Sequence, residues 1–141
     1  MEFGAFRYNE DLSSVNFDYE KSRLNSIGAE SFLGCKSLEQ IIIPDRVLEI
    51  VNMTFNDCES LKEVYVLREP SYMTMATRLN SDEMFKNCHE DLTIYVPINN
   101  GGIVEDDPEA GAKNGVTMYK EWFGWQTYAD IIEAMPDTWE Y

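Results

Sequence analysis

The sequence predicts an α/β repeat fold: a stacked solenoid of about four units, with short strands on one face and a capping helix at its C-terminal end. Three observations carry this. A 23-residue register sets Ile27–Ile50 over Ile50–Met73, so that Phe32 falls on Phe55, Cys35 on Cys58, Leu38 on Leu61, Ile41 on Val64 and Ile43 on Val66 without a gap. Short β-branched, alternating runs recur within that register. An amphipathic, aromatic-rich stretch follows the last of them. One such unit cannot bury its apolar face alone, so neighbours must stack.

The first unit keeps the register 26 residues before the second, through Phe6, Asn9, Leu12, Val15 and Phe17. Val15-Asn16-Phe17 is expected to be its strand, and the three extra residues fall in the polar loop Asp18–Leu24. Ile41-Ile42-Ile43 and Val64-Tyr65-Val66 are the strands of the next two units. Between strands, Phe55 to Leu61 carries apolar residues at three-residue steps, which suits a helical or 3₁₀ turn on the opposite wall. In the last unit Phe85, Cys88 and Ile94-Tyr95-Val96 follow at a longer spacing. The insertion maps to Arg68–Glu83, expected to bulge from the stack as a loop. Leu92 comes one residue late, with a bulged turn at His89–Asp91.

Beyond Pro97 the register stops. Asn99–Gly115 is rich in Gly, Asn, Asp and Glu and reads as loop. Trp122, Trp125, Tyr128, Ile131, Ile132 and Met135 then fall at three- and four-residue steps, an amphipathic helix stopped by Pro136. The chain thus divides into repeats over 1–97, with an irregular insertion at 68–83, and an acidic loop with a capping helix over 98–141. The N-terminal edge shows no comparable cap. A short strand covers it, the array is longer, or the edge pairs with a partner.

The 141 residues suit one domain, and 44% hydrophobic content suits a folded one. Lys plus Arg number 11 and Asp plus Glu 26, a net charge of −15. That balance argues against direct binding of nucleic acid or of an anionic membrane surface, and permits a basic protein partner. No apolar run reaches membrane-spanning length. Met1–Asp11 lacks a signal-peptide pattern, which leaves a cytoplasmic product and a trimmed mature chain both open.

Catalytic patterns are absent. His89 is the only histidine, so a His-based triad or a multi-histidine metal site cannot be assembled within one chain. No phosphate-cradling glycine motif follows a strand. The carboxylates Glu105, Asp106, Asp107 and Glu109 fit no calcium-loop spacing and read as a solvated turn. Cys35, Cys58 and Cys88 match no zinc pattern, and read as a buried column of reduced thiols. No cofactor is expected. The residues between the inward strand positions must face outward. They are Asn16, Ile42, Tyr65 and Tyr95, flanked by Gln40 and Glu63. A line of Ile and Tyr amid polar groups suits a protein-contact surface, and equally a row of sheet-stabilising cross-strand pairs.

The recurring template Ile27-Gly28-x-x-x-Phe32-x-x-Cys35-x-x-Leu38-x-x-Ile41-x-Ile43-Pro44-x-x-Val47-x-x-Ile50 resembles the BspA-like, or Treponema-type, leucine-rich repeat. The ending is similar too: Ile94-Tyr95-Val96-Pro97, Tyr119-Lys120 and Gly124-Trp125-x-x-Tyr128-Ala129-Asp130-x-Ile132. Val51 and Asn52 depart from the template, as does the region 68–83. The resemblance implies a curved right-handed solenoid and a non-enzymatic protein-binding module. It also implies a secreted or cell-surface bacterial protein, with adhesion among the family's roles. The alternative is an intracellular or phage-encoded acidic inhibitor that mimics nucleic acid and blocks a basic host protein.

Overall fold

The computed structural model describes residues 1–18, 21–70 and 78–137. Its strands form two parallel sheets. The larger contains β2 (Gln40–Ile43), β4 (Glu63–Val66), β6 (Thr93–Val96) and β7 (Ile132–Ala134) in that order. The smaller contains β1 (Ser26–Ile27), β3 (Glu49–Ile50) and β5 (Arg78–Leu79). Registers follow the repeat: Ile41 pairs with Val64 and Val64 with Ile94, while Ile27 pairs with Ile50 and Ile50 with Leu79.

A third wall is built from turns. The N–H groups of Gly4, Phe6 and Tyr8 donate to the carbonyls of Ala29, Ser31 and Leu33. Those of Glu30, Phe32 and Gly34 donate to Asn52, Thr54 and Asn56, all six bonds spanning 2.7–3.0 Å. Each unit is therefore laddered to the next although these segments are neither α-helix nor strand, which satisfies their backbone groups. The helical or 3₁₀ turn expected over Phe55–Leu61 is a string of hydrogen-bonded turns.

Side chains follow the same order. Phe6, Phe32, Phe55 and Phe85 stack with centroids 5.4, 5.5 and 5.5 Å apart. The column of reduced thiols is present: the Cys35, Cys58 and Cys88 Sγ–H groups each donate, at 3.1 Å, to the carbonyl of the aromatic residue one unit back, Phe6, Phe32 and Phe55. Ile41, Ile43, Val64, Val66, Ile94 and Val96 point into the same core as Ile27, Ile50 and Leu79. Tyr8, Gly34, Asp57 and Asn87 occupy equivalent positions, and all have φ between 58° and 71°. The second unit has Gly34 there, where a Cβ would lie 2.5 Å from the exposed Tyr8 ring and would push that ring aside.

Three sequence expectations are corrected. Val15-Asn16-Phe17 is not a strand. The Asn16 Oδ1 accepts the Asp18 N–H at 2.8 Å and Asp18 takes φ 48°, so a local side-chain turn replaces the ladder. Val15 and Phe17 still pack on the core. The insertion 68–83 is not loop throughout, because Arg78–Leu79 is β5 and buries Leu79; residues 71–77 lie outside the described residues. The C-terminal cap is not one helix over 122–135. Helix α1 runs earlier, Gly115–Glu121, with the Asn114 side chain accepting from the Thr117 N–H. It ends where Trp122 turns extended (ψ 142°) and Gly124 takes φ 88°. A 3₁₀ segment, Trp125–Ile131, follows, and then β7 extends the larger sheet beside β6. The segment packs on the repeat core: the Tyr128 ring meets Phe85 edge-on at 5.1 Å, and Trp125 is fully buried against Tyr119.

Candidate functional site: the outward row of the larger sheet

Inward Ile and Val alternate on β2, β4 and β6 with residues that face away from the core. Register places Ile42, Tyr65, Tyr95 and Glu133 in one row, and Gln40, Glu63 and Thr93 in the next. Five of the six residues singled out from the sequence therefore share one face: Gln40, Ile42, Glu63, Tyr65 and Tyr95. Asn16 does not join them, because its segment forms a turn and, among the described residues, pairs with no strand.

The row is not uniform. Tyr65 and Tyr95 stack at 4.9 Å with ring planes 19° apart. Tyr65 is only 7% exposed and donates its hydroxyl to Glu63 Oε2 at 3.2 Å. Burial, reinforced by the Glu63 charge, pushes the Tyr65 phenol up to about 12. Its ring thus supports Tyr95 and presents little surface of its own. Gln40 and Glu133 are exposed, and Ile42, Glu63, Thr93 and Tyr95 half-buried. Glu133 is not among the residues the sequence singles out, since it lies in the segment expected to be helical. The alternation Ile132-Glu133-Ala134 is its only local signal, and it is too short to read alone.

The chemical candidates are absorbed by the chain. The Asp106 carboxylate accepts from the Asn114 N–H and the Thr117 hydroxyl, both at 2.7 Å, and these bonds, the Asn114 one first, hold its pKa below the usual value. Asp107 Oδ1 accepts the N–H groups of Glu109 and Ala110. These carboxylates shape the loop ahead of α1. His89 Nδ1 accepts the Asp91 N–H at 3.1 Å, which makes the late bulge a local turn. Among the described residues no three Asp, Glu, His or Cys side chains converge on a metal-sized site. No helix there is long and apolar enough to cross a membrane.

Compared with known protein families, residues 1–105 match the model of the BspA type leucine rich repeat region, in six copies. None of the curated proteins matches the chain.

Proposed function

The chain belongs to the BspA-type leucine-rich repeat family, and on that premise we propose that it is a non-enzymatic protein-binding module acting through the outward face of its larger sheet. In this reading the repeats are units of a solenoid over 1–97, and 98–141 covers its C-terminal end. The observation that carries the proposal is the registered row Ile42–Tyr65–Tyr95–Glu133. It sets apolar and aromatic groups beside carboxylates and an amide on a rigid, core-backed surface. Tyr-rich patches with polar surrounds are where binding energy concentrates, and a preorganised sheet loses little entropy on docking. Contact falls on Ile42, Tyr95 and Glu133, rimmed by Gln40 and Glu63, with Tyr65 as the support beneath Tyr95. The secreted or surface setting and the adhesive role are those the family resemblance implies.

The test is retention of the purified protein on immobilised host-matrix extract. Replacing Ile42 and Tyr95 together by Ser should cut retention by about tenfold or more, as loss of a binding hot spot does. The circular dichroism spectrum and melting temperature stay near those of the parent. Equal retention by the folded double variant overturns the assignment to this face. An acidic inhibitor of a basic host protein predicts a different signature: affinity that collapses as salt rises.

A further inference from the structure

A second surface lies at the C-terminal end of the stack, away from the strand row. The segment Asn80–Asp82, just after β5, and the turn between α1 and the 3₁₀ segment enclose a cleft of about 320 Å³, at the small end of ligand-site volumes. Phe123 lines it and is 75% exposed, although of the neighbouring aromatics Trp125 is buried in the core and Trp122 is half-buried against it. Leu79 and Gly124 line it where the two walls meet, and the other lining residues are polar: Asn80, Ser81, Asp82, Gln126 and Thr127.

The two walls are clamped together. A Cβ on Gly124 would meet the Leu79 carbonyl at 2.4 Å, so the backbones touch and Phe123 is held at the rim. The Tyr128 hydroxyl donates to the Asp82 carbonyl at 2.6 Å, tying the same walls a second time. Hydrogen-bonding capacity is left over inside. Asn80 spends its amide N–H on Glu49 and keeps its carbonyl oxygen. Ser81 Oγ accepts the Glu83 N–H and keeps its own proton. Among the described residues the side chains of Asp82, Gln126 and Thr127 make no hydrogen bond or ion pair, and the Asp82 charge is felt only through space, at Tyr128.

The chemistry narrows the ligand. Among the described residues no cation lines the cleft and Asp82 does, so an anion is repelled. Five polar side chains around one ring disfavour a wholly apolar ligand, whose binding would leave them dry and unpaired. A neutral ring with an apolar face and hydroxyls at its edge satisfies both. Its C–H bonds, slightly positive, lie on the negative face of Phe123. Its hydroxyls meet a carboxylate, two amides and two hydroxyls that can donate or accept. We propose that this cleft is a saccharide-binding site, with Phe123 as the stacking platform and Asp82, Gln126 and Thr127 as hydroxyl partners. It is separate from the proposed protein-binding row and does not depend on it.

Ligand-observed saturation-transfer NMR on the full chain tests this, with methyl β-glucopyranoside, methyl β-galactopyranoside and N-acetylglucosamine as probes at about 10 mM, a range that captures millimolar affinities. At least one sugar should receive saturation, strongest on the C–H protons of one ring face. Phe123→Ala should reduce it about tenfold, and Asp82→Asn should weaken it several-fold, both with unchanged melting temperature. Phe123 and Asp82 are exposed, so neither change threatens the core. No transfer to any of the three sugars, or transfer that survives Phe123→Ala, overturns the proposal.

Discussion

At Cys58 the repeat puts a thiol where water does not reach. The side chain is fully buried, and its Sγ–H donates to the Phe32 carbonyl. Burial raises its pKa first, and the neighbouring thiols of Cys88 and Cys35 add to the shift; burial likewise raises Cys88, to about 12. The thiolate is the reactive form, so these groups should be inert in the folded state. Labelling with iodoacetamide at about pH 8 should be roughly 100-fold slower in native buffer than in guanidinium. The same shifts act on stability. Folded pKa values lie above unfolded ones, so the unfolded chain loses its thiol protons first as pH rises. The contribution is fully present below about pH 8.5 and is lost progressively as pH climbs toward 12. Tyr65, raised to about 12, acts in the same direction above the ordinary tyrosine range. The urea midpoint should fall between about pH 8 and pH 10.5; a midpoint that holds steady would mean these thiols are not shielded.

At the scale of elements, the aromatic column is the clearest test of stacking. Phe55 is fully buried and has a ring on each side, Phe32 and Phe85. Phe6 stacks, among the described residues, on Phe32 and is 37% exposed. Phe55→Ala removes a whole ring from a filled core and should cost about 3–5 kcal/mol. Phe6→Ala should cost well under half of that in the same urea titration. Equal losses would mean that burial between two rings is not what sets the cost. The column, the thiol row and the three main strands were legible in the sequence, because each is a large or β-branched side chain recurring at a fixed step. The smaller sheet was not. Its strands are two residues long with one inward residue each, Ile27, Ile50 and Leu79, which leaves no alternation to read. The cap misled for another reason. Three- and four-residue spacing is common to a helix and to a helix broken at Gly124, and β7 forms only because β6 offers an edge to pair with. The outward row was readable as far as Tyr95, and Glu133 entered with β7. The cleft was invisible, since it joins residues 80–82 to 123–127 and shares no motif.

Over the whole molecule, like charge governs the electrostatics. Against 11 basic residues stand 26 acidic ones. The described ion pairs use Arg7, Lys21, Lys36, Lys86 and Lys113, all with partly exposed side chains. Surface pairs of this kind contribute between zero and about 1 kcal/mol each, and salt weakens them. Salt also screens repulsion among the unbalanced carboxylates, shortening the Debye length from about 30 Å at 0.01 M to about 8 Å at 0.15 M. With a net charge of −15 the repulsion outweighs the few pairs, so added salt should stabilise the fold. The melting temperature should rise across that range and then level off, because the remaining distances are already screened. A steady fall instead would show that attraction within the ion pairs outweighs the repulsion among the carboxylates. Binding through Ile42 and Tyr95 should change little over the same salt range, since the contact is chiefly apolar. Measured side by side, the melting curve and the retention assay separate charge that only repels itself from charge that recruits a basic partner.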